Sequence, residues 1–169
     1  LVGSEMCIRD RLQAYALLGN AIDALPHAFW VAKNESDDAI LLAVTTIAEG
    51  RKEAQIDDLI TAYNRLELST DGQLIRRLAI AMLLREDGRL EQAKSAALAY
   101  LQLAPNDQRG SLLLAQIYNQ QDRSEEAIST LASALKNYPN SYKLRLQYAR
   151  LLTLSNRLKA LEQFEILRL

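Results

Sequence analysis

Histidine, a frequent general base and metal ligand near neutral pH, occurs once in this 169-residue sequence, as His27. A zinc site or an acid–base pair would need a second histidine or a native cysteine, and the sole cysteine is Cys7. We therefore interpret His27 as a structural or solvent-exposed residue. The sequence contains neither a glycine-rich phosphate loop nor a serine-elbow motif. We predict no catalytic residue, no cofactor and no metal site.

Paired carboxylates are the next candidates for chemistry, because two neighbouring acids can share a proton-transfer role. Three such pairs occur: Asp37/Asp38, Asp57/Asp58 and Glu125/Glu126. Two of them open predicted helices, where the positive end of the helix dipole favours carboxylates, so a structural role is expected. Phe29 and Trp30 could contact a partner, but their helical spacing beside Leu25 favours the core.

The composition favours helices and argues against a nucleic-acid binder. The chain has 49% hydrophobic residues with only 6 Gly and 3 Pro, and its 20 basic residues nearly balance 21 acidic ones. The charge is uneven along the chain: residues 35–91 hold 12 acidic and 7 basic residues, whereas residues 136–169 hold 7 basic and 2 acidic ones. This distribution fits either solvated helix faces or a gradient that orients a partner. No segment has the roughly 20 apolar residues of a membrane span, so no direct membrane insertion is expected.

The first eleven residues, LVGSEMCIRDR, resemble the translation of a transposase-type sequencing adaptor. We expect residues 1–11 to be an adaptor-derived artefact and exclude them, with Cys7, from functional interpretation. The native N-terminus is then expected to be missing. Because Leu169 falls within a helical pattern, we expect truncation at both ends.

The rest of the sequence repeats with a period of about 34 residues. Pairs of similar residues share this separation: Pro105/Pro139, Ala81/Ala115, Ala93/Ala127, Leu84/Tyr118 and Ala115/Ala149. In the clearest unit, residues 108–141, a seam is predicted at Leu114, Ala115, Tyr118, Ala127, Leu131 and Ala134, with a turn at Asp122 and Arg123. Small residues where two helices cross, and proline at the end of the unit, are typical of the tetratricopeptide repeat (TPR).

Residues 12–169 therefore resemble a TPR array, and the predicted fold is an all-α, right-handed TPR superhelix (an α-solenoid) of about five helix pairs. The approximate repeats are 12–35, 36–72, 73–107, 108–141 and 142–169. The second is the most degenerate, with predicted helices at Asp37–Glu49 and Lys52–Leu68. In the third, Gly88 is predicted to lie in the turn. In the last, Tyr148, Ala149 and Leu152 are predicted to lead into Leu161 and Phe164.

The resemblance to TPR proteins implies a non-catalytic scaffold that binds other proteins or peptides in a concave groove lined by the first helix of each repeat. The implied groove residues are Ile75, Leu78, Met82 and Arg85, then Arg109, Leu112, Gln116 and Asn119, then Lys143, Leu146, Arg150 and Thr153. TPRs that bind the C-terminal carboxylate of heat-shock chaperones use a clamp of Lys, Asn and Arg. The corresponding positions here hold Leu78, Met82 and Leu113, with only Lys143 fitting. An apolar segment or a helix therefore suits this groove better.

A narrower resemblance concerns residues 15–20 with 24–28, and residues 144–151. These segments are similar to segments of long TPR lipoproteins of Gram-negative bacteria, some of which lie on the periplasmic side of the outer membrane. Some act as adaptors for a carboxyl-terminal processing protease, which would make the protease and its substrates the partners. Two alternatives stay open: a TPR segment of a larger enzyme or polysaccharide-secretion protein, and a cytoplasmic peptide-binding co-chaperone.

Overall fold

A computed structural model of the chain describes residues 56–65 and 70–168, together with residues 10, 11, 14, 27 and 30. Every regular element in this part of the chain is an α-helix, which confirms the predicted all-α class. His27 and Trp30 are helical and half-buried. Apart from the five single positions, the predictions for residues 1–11, the repeat 12–35 and the helix Asp37–Glu49 lie outside the described residues.

The chain divides into two compact units, Leu1–Arg89 and Leu90–Leu169. In the first unit, helix α1 spans Ile56–Arg65, inside the predicted Lys52–Leu68, and helix α2 spans Thr70–Glu86. The two helices pack against each other. Helix α1 carries Asp57 and Asp58 in its first turn, as predicted for an acidic pair at the positive end of a helix dipole. Arg89, which follows α2, forms an ion pair with Asp57 at 2.6 Å and ties the two helices together.

The second unit contains five consecutive helices, each packed against the next along the chain. These are α3 (Leu90–Leu103), α4 (Gln108–Gln120), α5 (Ser124–Asn137), α6 (Tyr142–Ser155) and α7 (Arg157–Leu167). The pairs α4–α5 and α6–α7 fall within the predicted repeats 108–141 and 142–169. Packing of each helix mainly on its sequence neighbours is the arrangement of a helical solenoid.

Part of the core of this unit is formed by the last two helix pairs. A buried cluster is formed by Ala115, Ala127, Leu131, Ala134, Leu144, Tyr148, Leu152 and Ala160. Four of its members are alanines, whose methyl groups let neighbouring helix backbones approach closely. Tyr118 is half-buried and packs against the same cluster. Leu114 is buried as well, so every predicted seam residue of the repeat 108–141 is at least half-buried, as expected.

Three turns lie one repeat period apart, at Gly88, Asp122 and Asn156. Gly88 and Asp122 both have left-handed backbones, with φ of +78° and +59°. Each is followed by an amide that donates back to its helix, Arg89 to the carbonyl of Leu84 and Arg123 to that of Tyr118, both at 2.9 Å. This pattern closes a helix end by satisfying carbonyls that lack helical partners.

The third turn differs and corrects one prediction. Asn156 has φ of −151°, ends α6 and also caps α7, with its side chain accepting a bond from the Lys159 amide at 3.0 Å. Because this single residue replaces the longer turn between α4 and α5, α7 begins one position earlier than the repeat period predicts. Leu161 lies one repeat period after Ala127, and without this one-residue shift it would take the buried position of that alanine. Ala160 is buried there instead, and Leu161 is 59% exposed.

Candidate protein-binding surface

Helix α4 is held at its N-terminus by a cluster of Tyr100, Asp107 and Arg109. Asp107 is the N-cap, and its carboxylate accepts a bond from the Arg109 amide at 2.8 Å. It also accepts bonds from the Tyr100 hydroxyl at 2.5 Å and from the Arg109 Nε at 3.0 Å. The cluster joins α3 to the start of α4.

The electrostatics of this cluster keep the carboxylate charged. Burial alone would raise the pKa of Asp107, but the hydrogen bonds from Arg109 and Tyr100 outweigh it and hold the pKa below its ordinary value. Burial, followed by the bond to Asp107, raises the pKa of the Tyr100 hydroxyl, which therefore stays a donor. Arg109, one of the implied groove residues, thus has its guanidinium bonded to the Asp107 carboxylate.

Close contact between α3 and α4 depends on Gly110. A Cβ added at this position would lie 2.7 Å from the Leu101 Cδ2 atom and 2.8 Å from the Tyr100 ring. Tyr100 is fully buried and bonded to Asp107, so its ring has little room to move. The absence of a side chain at Gly110 therefore fixes how near the two helices pass.

Helix α6 is positioned by polar contacts to α4, to α7 and to the segment that precedes it. The Ser141 hydroxyl caps α6 by accepting from the Leu144 amide at 3.4 Å, and it donates to the Gln108 Oε1 atom of α4 at 2.8 Å. Arg145 donates to the Gln163 Oε1 atom of α7 at 2.7 Å and to the carbonyl of Pro139. These bonds fix the rotation of α6 about its axis.

With that rotation fixed, α6 has one buried and one exposed face. Leu144, Tyr148 and Leu152 are buried in the core cluster. The other face carries the four residues that the TPR resemblance implied for the last repeat. Lys143, Arg150 and Thr153 are exposed and Leu146 is half-buried. Their spacing of three and four residues brings them onto one stripe of the helix.

The corresponding residues of α4 form a less exposed stripe with one positive charge instead of two. Leu112 is half-buried and packs against the core cluster, and Gln116 is half-buried. Asn119 is exposed near the end of the helix. Of the groove residues implied on α4, Asn119 is thus the most accessible.

The residues implied on α2, in the first unit, lie mostly below the surface. Leu78 and Met82 are only 3% and 7% exposed, so they are core residues of the described structure. Ile75 and Arg85 are half-buried, and Arg85 forms an ion pair with Glu86. Sequence register alone did not distinguish these buried positions from the accessible ones on α6.

Among the described residues, no group of three or more His, Cys, Asp or Glu side chains is placed to bind a metal ion. Within the same residues, no helix has the length and hydropathy to cross a membrane. The packing of each helix of the second unit on its neighbours along the chain is the arrangement of a helical-repeat scaffold.

Comparison with known proteins shows what this chain is similar to. A tetratricopeptide-repeat family profile matches residues 84–142. Two solved structures have similar folds, each with 16% identity, a TM-score of 0.60 and coverage of 97% of this chain. They are MamA 41-end from Desulfovibrio magneticus RS-1 and the MamA RS-1 ArsTM double mutant, covered over 93% and 92% of their lengths. Among proteins with curated descriptions, none matches this sequence.

These comparisons confirm the predicted TPR-type solenoid fold. The fold supports a protein–protein interaction scaffold, whose partners are other proteins. The family match falls on the α3–α5 region, where the repeat period is clearest in the sequence.

Proposed function

We propose that this chain is a scaffold that binds a segment of a partner protein along the exposed face of α6. The observation that carries the proposal is the separation of the two faces of this helix. Its apolar side is used in the core, while Lys143, Leu146, Arg150 and Thr153 form a stripe that the core does not use. Polar contacts on both sides of α6 hold this stripe rigid, and a preformed surface lowers the entropic cost of binding.

The chemistry of the stripe favours a partner segment with both acidic and apolar residues. Lys143 and Arg150 supply two positive charges, and Leu146 between them offers apolar surface. Residues 136–169 carry 7 basic against 2 acidic residues, which would attract an acidic segment during encounter. A carboxylate clamp of the chaperone-binding type has little support, because Leu78, Met82 and Leu113 are apolar and buried.

A finer proposal is that the partner is a carboxyl-terminal processing protease or its substrates. Its support is the resemblance of residues 15–20, 24–28 and 144–151 to bacterial TPR lipoproteins, so it is separate from the argument for the α6 surface. In that role the scaffold would hold the protease and substrate together and would perform no chemistry itself. A catalytic domain elsewhere in a longer protein is compatible with the same scaffold role.

The α6 surface can be tested with a random peptide library selected on the immobilised chain. We expect the selected peptides to be rich in Asp, Glu and Leu, and their affinity to fall about tenfold or more for Lys143→Glu with Arg150→Glu. Lys136→Glu, at an exposed position of α5, is the matched charge-reversal control and should leave binding unchanged. Selected peptides that bind the double variant as well as the original chain would move the site away from α6.

The protease assignment has its own measurement. The purified chain should lower the KM of a purified carboxyl-terminal processing protease for a protein substrate, and the double reversal on α6 should remove this effect. If the chain binds acidic peptides but leaves the protease kinetics unchanged, the scaffold role stands and the adaptor role is wrong.

A further inference from the structure

Leu154, near the end of α6, lies on the same exposed face as the stripe described above. It is 95% exposed, more than any other large hydrophobic residue in the part of the chain that the structure describes. Leu154 follows Arg150 by four residues and Leu146 by eight, so helical spacing brings all three onto one side of α6. The buried Leu152 lies on the opposite side. The TPR resemblance implied Thr153 as the last residue of this stripe and omitted Leu154.

The repeat itself does not require a leucine at this position. The equivalent residues one and two periods earlier are Gln120, the last residue of α4, and Glu86, the last residue of α2. Both are polar and exposed. Leu154 therefore presents an apolar side chain that neither the repeat nor the core accounts for, and contact with a partner would use it.

With Leu154 included, the stripe alternates between positive and apolar side chains. Lys143, Leu146, Arg150 and Leu154 follow one another at intervals of three or four residues, which correspond to about 4.5–6 Å along the helix axis. The distance along the axis from the first to the last is about 16 Å. A complementary segment must therefore present acidic and apolar side chains in turn, at intervals of about one helical turn.

The charges around the stripe favour acidic residues in the partner. Residues 127–161 contain no Asp or Glu, and α4 contains none either. Of the two acids that flank α4, Asp107 is bonded to Arg109, and Asp122 lies in the turn that follows the helix. The two acidic residues of α7 are exposed on the side of that helix opposite the buried Ala160. No acidic residue of α4 or α6 therefore offsets the two positive charges of the stripe.

A helix suits this surface better than an extended segment. The backbone of α6 bonds within its own helix, so it has no open edge with which an extended segment could pair its N–H and C=O groups. A helical partner satisfies its own backbone, and its side chains recur on one face at intervals of three and four residues. Three turns of such a helix span about 16 Å, whereas three intervals on one face of a strand span about 20 Å.

We propose that the segment bound by α6 is an amphipathic helix whose contact face alternates acidic and apolar residues about one turn apart. This inference rests on the proposed role of α6 and specifies its partner. The two acidic residues would contact Lys143 and Arg150, and the two apolar residues would cover Leu146 and Leu154. Because Leu154 is almost fully exposed in the unbound chain, it has the most apolar surface to bury and serves as the main apolar contact.

Defined peptides test the shape of the partner. Two stapled helical peptides carry Glu and Leu alternately at these intervals on one face, in opposite chain orders, because either orientation can place acid against base. At least one of them should bind the unaltered chain in a fluorescence anisotropy titration. A peptide of the same composition, without a staple and with Glu and Leu alternating at every second residue, has the spacing of a strand and should bind at least about tenfold more weakly.

A pair of leucine variants tests the new contact. Leu154→Ser should weaken binding of the helical peptide about tenfold, because the apolar surface of this leucine is no longer buried. Leu103→Ser, at a leucine of α3 with 57% exposure, is the matched control and should leave the affinity unchanged. Circular dichroism of each variant checks that the helices are retained.

A charge exchange tests the register. In both peptides, the Glu that lies between the two Leu residues should contact Arg150. Arg150→Glu should weaken binding about tenfold, and a peptide with Lys in place of that Glu should bind the variant as well as the original peptide binds the unaltered chain. Failure of this exchange to restore binding would overturn the proposed alternation.

The outcomes separate this inference from the proposed function. If acidic peptides depend on Lys143 and Arg150 but Leu154→Ser leaves their affinity unchanged, the α6 surface stands and the helical partner is wrong. Equal binding of the strand-spaced peptide leads to the same conclusion. If the charge reversals on α6 also leave peptide binding unchanged, the proposed function fails as well.

Discussion

Two helix crossings in the second unit, α3 with α4 and α5 with α6, are each filled by one large and one small residue. The helix that supplies the large residue differs between the two crossings. In the first crossing, the large Tyr100 packs against Gly110. One repeat later, the equivalent positions hold the small Ala134 and the large Leu144, both members of one core cluster. Large against small in one crossing thus becomes small against large in the next.

This exchange shows what a repeat keeps constant. Close packing fixes the total volume available between two helices, and either helix can supply it. A comparison position by position scores Tyr100 and Gly110 as departures from the repeat. Taken as a pair, they satisfy the same spatial requirement as Ala134 and Leu144.

The N-caps of the two following helices differ in the same coupled way. Asp107 caps α4, and Ser141, at the equivalent position of the next repeat, caps α6. Asp107 accepts a bond from the Tyr100 hydroxyl, and the position equivalent to Tyr100 is Ala134, which has no polar group to offer. Ser141 donates instead to Gln108. The first crossing therefore contains a charged cluster that the second lacks.

The largest effect is expected from placing a charge in the core cluster of the second unit. Ala127→Arg should lower the free energy of unfolding by about 3–5 kcal/mol, because Ala127 is fully buried and a guanidinium there would lack both space and a partner. Leu161→Arg, at the position that the repeat period pairs with Ala127, should change stability by less than about 0.5 kcal/mol. Urea denaturation followed by circular dichroism measures both. Equal losses would mean that the unshifted repeat period sets the burial of α7.

The exchange of large and small residues predicts a double-mutant cycle. Gly110→Leu should destabilise by about 3 kcal/mol, because the new side chain overlaps the Tyr100 ring and the Leu101 methyl group. Adding Tyr100→Ala gives the first crossing a small residue on α3 and a leucine on α4, as in the second crossing. The double variant should lose less unfolding free energy than the sum of the losses of the two single variants. A coupling of at least about 1 kcal/mol is expected for residues in contact.

The outcome of that cycle separates two explanations of Gly110. If the two changes add without coupling, Gly110 is needed for something other than the space taken by Tyr100. Gly110→Ala is the milder companion variant, with an expected loss of about 1 kcal/mol or more. It keeps the measurement possible if Gly110→Leu does not fold.

The two N-caps should differ in their response to pH. Because the pKa of Asp107 is depressed in the folded chain, its charged form stabilises the fold above its ordinary pKa of about 3.9, and this stabilisation is lost as the pH falls through the depressed value. Asp107→Asn should cost about 1–2 kcal/mol at neutral pH and progressively less below about pH 4. Ser141→Ala should cost about 1 kcal/mol at every pH, because no titrating group is removed. A cost of Asp107→Asn that stays constant down to about pH 2 would contradict the charged cluster.

The sequence was sufficient to predict the fold because the residues that recur with the repeat period are the ones buried between helices. Ala115, Ala127 and Leu131 are buried as expected, and the turns at Gly88 and Asp122 have the same left-handed conformation. The pattern failed at Asn156, since asparagine is compatible with a left-handed turn and with an N-cap, and the choice shifted α7 by one residue.

Prediction from sequence of which implied groove residues are accessible was limited by a different factor. Lys143, Arg150 and Thr153 are polar, so their exposure agreed with their place in the repeat. Leu78 and Met82 were assigned to the groove by register, but whether a leucine on a helix is covered depends on what packs over it, which the sequence of one helix does not specify. The Tyr100–Asp107–Arg109 cluster was missed as well. The sequence signal that could have indicated it is an Asp N-cap that follows Pro105 and precedes Arg109.

The smallest effect concerns the turns themselves and has opposite signs at two equivalent positions. Asp122→Gly should stabilise the chain by about 0.5 kcal/mol, because a left-handed backbone costs an aspartate more than a glycine. Asn156→Gly should instead destabilise by about 0.5 kcal/mol, since its φ of −151° needs no glycine and the cap on α7 would lose its side-chain acceptor. Thermal unfolding of the two variants, each against the unaltered chain, resolves shifts of a few degrees. Stabilisation by both glycines would show that Asn156 adopts the same left-handed turn as Asp122, and the one-residue shift of α7 would then have to be wrong.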